Sequence, residues 1–202
     1  MILRLVGVLF MLIVHDGAGA ATLLVFGDSL SAGYGLPREV AWVSLLERRL
    51  RDARPDYKVV NASISGETTA GGRARLEDAL KAHRPAIVVL ALGANDGLRG
   101  YPVEALRTNL EAMIAACRRH KAQVLLVGMR LPPNYGPAYT EKFRTAYADI
   151  ARKHQLAFVP FLLEGFADKH EYFQDDGVHP AARAQPLIAE TVWSALRPLL
   201  KP

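Results

Sequence analysis

A three-layer α/β/α domain built on a parallel sheet is the fold this sequence predicts, and three observations predict it. Five apolar runs recur along the chain: "TLLVFG", "YKVVNAS", "AIVVLALG", "QVLLVGM" and "LAFVPFL". They are largely continuous rather than polar–apolar alternations, as strands covered on both faces require. Amphipathic stretches separate them, so strand and helix alternate from end to end. No internal repeat or low-complexity tract divides the chain.

Taken in order, the first run, Leu23-Leu24-Val25-Phe26, halts at Gly27-Asp28-Ser29, where small and turn-forming residues take over. "EVAWVSLLERRLRDA" (39–53) follows as a helix, then the second strand. "GGRARLEDALKAH" (71–83) leads to the third strand, which stops at Gly93-Ala94-Asn95-Asp96-Gly97. The next helix is "VEALRTNLEAMIAACRRH" (103–120). The fourth strand runs into a Pro- and Tyr-rich loop at 131–139, followed by "TEKFRTAYADIARKH" (140–154) and the fifth strand. The last helix is "AARAQPLIAETVWSALRPLL" (181–200). Pro180 suits its first turn.

The first twenty residues stand apart. Arg4 supplies a positive start, residues 5–14 are an apolar stretch shorter than the ~20 residues a bilayer span needs, and Ala18-Gly19-Ala20 is a small-x-small cleavage pattern. The expectation is an exported protein, periplasmic or secreted, cleaved after Ala20 and organised as one domain over 21–202. Its single cysteine, Cys117, excludes an intrachain disulfide and sits in a helical pattern as a buried thiol. Net charge is +5, unchanged by removal of Arg4 and Asp16 with the leader. The basic residues are spread over helical faces and mixed with acids, which argues against a nucleic-acid partner.

In an open parallel sheet the residues that follow the strands meet at one edge. Ser29 follows strand one, Gly66 strand two and Asn95 strand three; "DDGVHP" (175–180) precedes the last helix. A serine hydroxyl needs a base, and histidine is the usual one. His179 offers an imidazole, and Asp176, three residues earlier across Gly177, can reach its near nitrogen. Asp175 is the neighbouring alternative for that orienting role; Asp176 is favoured. The backbone N–H groups of Ser29 and Gly66 and the Asn95 amide suit an oxyanion. Asp28 is assigned to bonding local backbone. His83, His120, His154 and His170 lie at helix ends or in a loop, where a structural role fits. "QDDGVHP" lacks the second convergent His or Cys a metal site would want, so no metal is expected.

Together these segments resemble the GDSL, or SGNH, hydrolase superfamily. "FGDSLSAGYG" matches its first block, "NASISGET" its second, "GANDGLRG" its third and "DDGVHP" its fifth. The chain looks closest to the bacterial periplasmic branch called thioesterase I, protease I, lysophospholipase or arylesterase. That resemblance implies a flavodoxin-like sheet, no cofactor, an acyl-serine intermediate, and small acyl ester, thioester or lysophospholipid substrates. In that reading Ser29, Asp176 and His179 are catalytic, and Ser29, Gly66 and Asn95 hold the oxyanion. The family's third block usually reads Gly-Gly-Asn-Asp, whereas Ala94 stands here at the second glycine; the methyl is tolerable if that residue's φ is negative. Leu131 and Pro132 either rim an acyl-chain site or brace a crossover. A monomer without stable membrane insertion is expected. The rival readings are a carbohydrate acetylesterase and a non-catalytic lipid carrier.

Overall fold

The computed structural model describes residues 20–200. The expected leader therefore lies, apart from Ala20, outside the described residues. Five parallel strands form one sheet: β1 (Ala21–Gly27), β2 (Tyr57–Asn61), β3 (Ile87–Ala91), β4 (Gln123–Val127) and β5 (Ala157–Val159). Their order is β2-β1-β3-β4-β5. The chain reverses its direction of travel between β1 and β3, and a doubly wound sheet opens its ligand crevice at such a point.

Side chains alternate across the strands, and each set finds its own helical layer. Leu23, Val25, Ile87, Val89, Leu125 and Val127 pack on one face with α2 (Trp42–Ala53) and α7 (Gln185–Leu196). Leu24, Phe26, Val88, Leu90 and Leu126 pack on the other with α3 (Thr69–His83), α5 (Val103–Arg119) and α6 (Pro137–Lys153). Both faces are dry, which explains why the strands read as unbroken apolar runs. Trp42 fastens one layer: fully buried, it donates from Nε1 to the Leu30 carbonyl at 2.9 Å, and its backbone N–H donates to Gln185 Oε1 at 2.9 Å. Gln185 thus caps α2 from another helix, since Ala41 at the cap position has no side-chain acceptor.

Two boundaries differ from expectation for physical reasons. The last helix begins at Gln185, and Pro180 is not in its first turn; Pro180 pairs in a single antiparallel bridge with Phe173. Its carbonyl accepts from the Gln185 side chain at 3.1 Å. The third strand ends at Ala91, and residues past it wind into α4 (Ala94–Leu98). A second short helix, α1 (Ser29–Ala32), follows β1. Both lie at the carboxyl edge of the sheet.

Candidate active site

Ser29 is delivered by a tight exit from β1. Asp28 is 1% exposed and caps α1, accepting the Leu30 N–H at 3.0 Å, in line with its assignment to local backbone. Burial pushes the Asp28 carboxyl up to about 7, and the Leu30 bond only partly opposes that rise. Ser29 itself is the first residue of α1, half-buried.

His179 reaches the same spot from the far end of the chain. Its Nε2 lies 3.0 Å from Ser29 Oγ, and its Nδ1 lies 2.7 Å from Asp176 Oδ2. The other carboxylate oxygen of Asp176 accepts the backbone N–H groups of Val178 and His179, each at 2.9 Å. These bonds, the His179 N–H foremost, hold the Asp176 carboxyl down to about 2. Of the neighbouring acids, Asp176 is the one that meets the imidazole; among the described residues Asp175 makes no side-chain hydrogen bond.

Two residues that the sequence reading passed over secure this loop. The Tyr34 ring lies 4.3 Å from the imidazole, centroid to centroid. Gln174 donates from Nε2 to the Tyr34 carbonyl at 2.8 Å, and its backbone N–H donates to the His179 carbonyl at 2.8 Å. The segment after β1 and the histidine loop are therefore tied directly. Nothing local in the sequence signals either contact, because the partners are about 140 residues apart.

The second loop approaches from β2. Ile64 donates its backbone N–H to the Gly27 carbonyl at 3.0 Å, and Asn61 Nδ2 donates to the Ser31 carbonyl at 2.8 Å, so the loop is anchored beside Ser29. Gly66 has a φ of +78°, the left-handed region that favours glycine, while a Cβ added there would meet no atom within 4 Å. Its glycine is thus required by backbone conformation, and the space in front of it is open, as expected for a close approach of substrate. Among the described residues neither the Ser29 nor the Gly66 N–H donates to a protein acceptor.

Asn95 projects from α4. Its Nδ2 donates to the Glu67 carbonyl at 3.0 Å, which fixes the amide and joins it to the Gly66 loop. The same side chain also lies near the Asp28 carboxyl and slightly offsets the rise that burial imposes on it. Asp96, the next residue, turns inward and accepts from the backbone N–H of Thr69 at 2.8 Å and from its hydroxyl at 2.5 Å. Gly93 caps the helix at φ +119°, where a Cβ would come within 2.1 Å of Tyr147 Oη. Ala94 has no positive φ and starts α4 in helical geometry, so the methyl at the family's second glycine position costs nothing.

Arg75 braces the whole loop from α3. Its guanidinium pairs with Glu67 Oε2 at 2.5 Å, donates to the Ala62 carbonyl at 2.7 Å and stacks on Phe26 at 3.9 Å. The 131–139 loop supports α4 from the other side. Tyr135 Oη donates to the Leu98 carbonyl at 3.0 Å and Tyr139 Oη to the Tyr101 carbonyl at 2.7 Å. Leu131 is half-buried against Gly97, where a Cβ would lie 2.6 Å from its Cδ2, and Pro132 is exposed.

The remaining polar candidates lie elsewhere. His120 sits 2.8 Å from Glu77 and His154 3.6 Å from Glu111, both at helix ends. Cys117 is fully buried, and burial pushes its thiol up to about 12, which makes it a poor nucleophile. A hollow of about 320 Å3 opens between α5 and α6, but its walls carry the Arg107–Asp149 and Lys153–Glu111 pairs, whose charges are already matched.

A hydroxyl, an imidazole and a carboxylate in hydrogen-bonded line at the carboxyl edge of a parallel sheet define a serine hydrolase of the α/β/α type. More narrowly, the chain belongs to the GDSL-like lipase/acylhydrolase family, whose model matches residues 25–185. It is 50% identical over 198 residues to the esterase TesA of Pseudomonas aeruginosa, covering 98% of each chain. To the thioesterase 1/protease 1/lysophospholipase L1 of Escherichia coli it is 41% identical over 189 residues, 94% of this chain and 89% of that one. A crystal structure of TesA superposes with a TM-score of 0.86 at 52% identity, covering 89% of this chain and 99% of that one. The membership expected from the motif blocks is borne out.

Proposed function

We propose that this enzyme hydrolyses carboxylic esters and thioesters through an acyl-serine intermediate formed on Ser29. The observation that carries the reading is the unbroken line from Ser29 Oγ through His179 to Asp176, at 3.0 and 2.7 Å. His179 takes the hydroxyl proton as Ser29 attacks the acyl carbonyl, then returns it to the leaving oxygen or sulfur. Asp176 stays ionised, since its carboxyl is held at about 2, and supports the imidazolium. The Ser29 and Gly66 N–H groups and the Asn95 amide receive the oxyanion, each such donor contributing about 100- to 1000-fold in rate. Water then repeats the sequence and frees the acid. The names esterase, thioesterase and lysophospholipase of the relatives agree with an acyl group as the transferred unit.

Leu131 packs against Gly97 of α4, the helix that carries Asn95, and Leu131 with Pro132 is proposed as the rim of the acyl-chain site. Export with cleavage after Ala20 is proposed from the leader; among the described residues no helix is long and apolar enough to cross a membrane. N-terminal sequencing of the protein from a periplasmic extract tests it, with Ala21 expected first.

The reaction is tested with a fluorophosphonate and an aryl ester. Peptide mapping should find the adduct on Ser29, and Ser29→Ala should lose both labelling and turnover while keeping the thermal transition of the parent. An adduct elsewhere overturns the assignment.

A further inference from the structure

Tyr34 keeps 51% of its surface in solvent, yet its ring lies on the imidazole of His179 with centroids 4.3 Å apart and planes 33° from parallel. Among the described residues this is the closest aromatic pair. The others span 5.4 to 6.4 Å, and each involves Phe143 or Phe166, both fully buried in the core. Apolar burial accounts for those pairs and not for a half-exposed tyrosine. The phenol does not account for it either, since among the described residues Tyr34 hydrogen-bonds through its backbone alone. Its N–H donates to the Ser29 carbonyl at 3.2 Å, and its carbonyl accepts from Gln174 Nε2 at 2.8 Å. The ring is thus held in place from the nucleophile segment and from the histidine loop at once.

In the reaction above His179 becomes a cation twice, once as Ser29 attacks and again as water does. Asp176 on Nδ1 and Ser29 Oγ on Nε2 occupy the edge of the imidazole and leave its faces open. A cation over an aromatic face within about 6 Å of the centroid is attracted by the ring quadrupole. We infer that Tyr34 is a positioning residue whose ring face stabilises the imidazolium of His179, so that the aromatic ring and not the phenol hydroxyl contributes to the rate. The inference rests on the acylhydrolase reading of the site.

The charged groups around the imidazole are Asp175 and Asp176 on its own loop, Asp28 next to Ser29, and His170, Glu171 and Arg183 on the turns before and after the loop. Asp176, held at about 2, does not titrate where an imidazole does. Asp28, raised to about 7, does, so the ring of His179 has to be read directly.

The test uses Tyr34→Leu, Tyr34→Phe and Tyr34→Trp in the whole protein. Two quantities are measured: the NMR titration of the His179 ring, assigned by its absence in His179→Gln, and kcat/KM for a short-chain aryl ester from pH 5 to 9. Leucine shields the imidazole from water as tyrosine does but has no quadrupole. In Tyr34→Leu the cation loses a partner, so the imidazole midpoint and the acidic limb should both move down by about half a pH unit. Plateau kcat/KM should fall about two- to fivefold. Tyr34→Phe should keep the parent's values, and Tyr34→Trp should move the midpoint up. An unshifted midpoint in Tyr34→Leu overturns the inference, as does a shift in Tyr34→Phe equal to that in Tyr34→Leu, which would assign the effect to the hydroxyl. If Tyr34→Leu does not fold, Tyr34→Trp decides, and a midpoint at or below the parent's overturns the inference. An inactive parent with the expected midpoints would overturn the reaction and not the stack; an active parent with unshifted midpoints would overturn the stack alone.

Discussion

Ser29 Oγ and His179 Nε2 lie 3.0 Å apart although 150 positions separate them in the chain. Each comes from a segment too short to aim a side chain alone, a four-residue helix in one case and an irregular loop in the other. The link through Gln174 to the Tyr34 carbonyl brings the two segments into register, and Asp176 then sets the ring.

Asp176→Asn should lower kcat on an aryl ester by about 100- to 10,000-fold, because an amide facing Nδ1 favours the wrong tautomer. Asp175→Asn should stay within about twofold of the parent. Steady-state kinetics on both decide between the neighbouring acids, and a larger loss at Asp175 would reverse the assignment. The carboxyl of Asp176 is depressed to about 2, so its bonds stabilise the fold above about pH 4, and that support disappears as pH falls from there through 2. Any loss of activity between pH 5 and 7 therefore does not come from Asp176.

Asn95→Ala should cost about 100- to 1000-fold in kcat with KM little changed, the signature of a donor used in the transition state. Asn95→Asp should be at least as poor, since it replaces a donor by an acceptor. Gly66→Ala meets no steric block but carries a left-handed backbone, which costs about 1–2 kcal/mol. A lower thermal midpoint together with reduced kcat is the expected outcome.

Arg75→Met keeps the packing on Phe26 and removes the guanidinium. Glu67, only 12% exposed, would then be unpaired, and the loop carrying Gly66 should loosen. A roughly tenfold fall in kcat is expected on general grounds of misplacement, with faster amide exchange over residues 62–68. Arg75→Lys should recover part of both. Unaltered exchange in that loop with reduced kcat would separate Arg75 from loop positioning.

Asp28→Asn should change the pH dependence of stability. The Asp28 carboxyl is raised from 3.8 to about 7 in the fold, so between those values the unfolded chain ionises while the folded one holds its proton. Stability contributed by this group is therefore fully present below about pH 4 and declines as pH rises toward 7. The neutral amide removes that decline. The thermal midpoint of the variant relative to the parent should climb between pH 4 and 7; a constant difference would show that Asp28 does not titrate in this range.

Much of the fold was legible because it depends on long periodic segments. Five strands and five long helices stand where unbroken apolar runs and amphipathic stretches placed them. The two short helices at the sheet edge were not foreseen, since α1 and α4 have four and five residues and too few turns to display a period. Pro180 misled for a related reason: proline's fixed φ suits a helix start and a bridge residue alike, and only the pairing with Phe173 chooses.

By itself, the sequence determined which residues could carry the chemistry: a serine after the first strand, a glycine after the second, an asparagine after the third, and an Asp-x-x-His near the end. Residue type and position relative to a strand suffice for that, because parallel strands deliver their carboxyl ends to one edge. Only the tertiary structure decided that Asp176 rather than Asp175 meets His179, and that Glu67 and Arg75 hold the loop that carries Gly66. Those outcomes depend on distances of a few ångström between segments remote in the chain, set by how helices pack on the sheet and not by any local pattern.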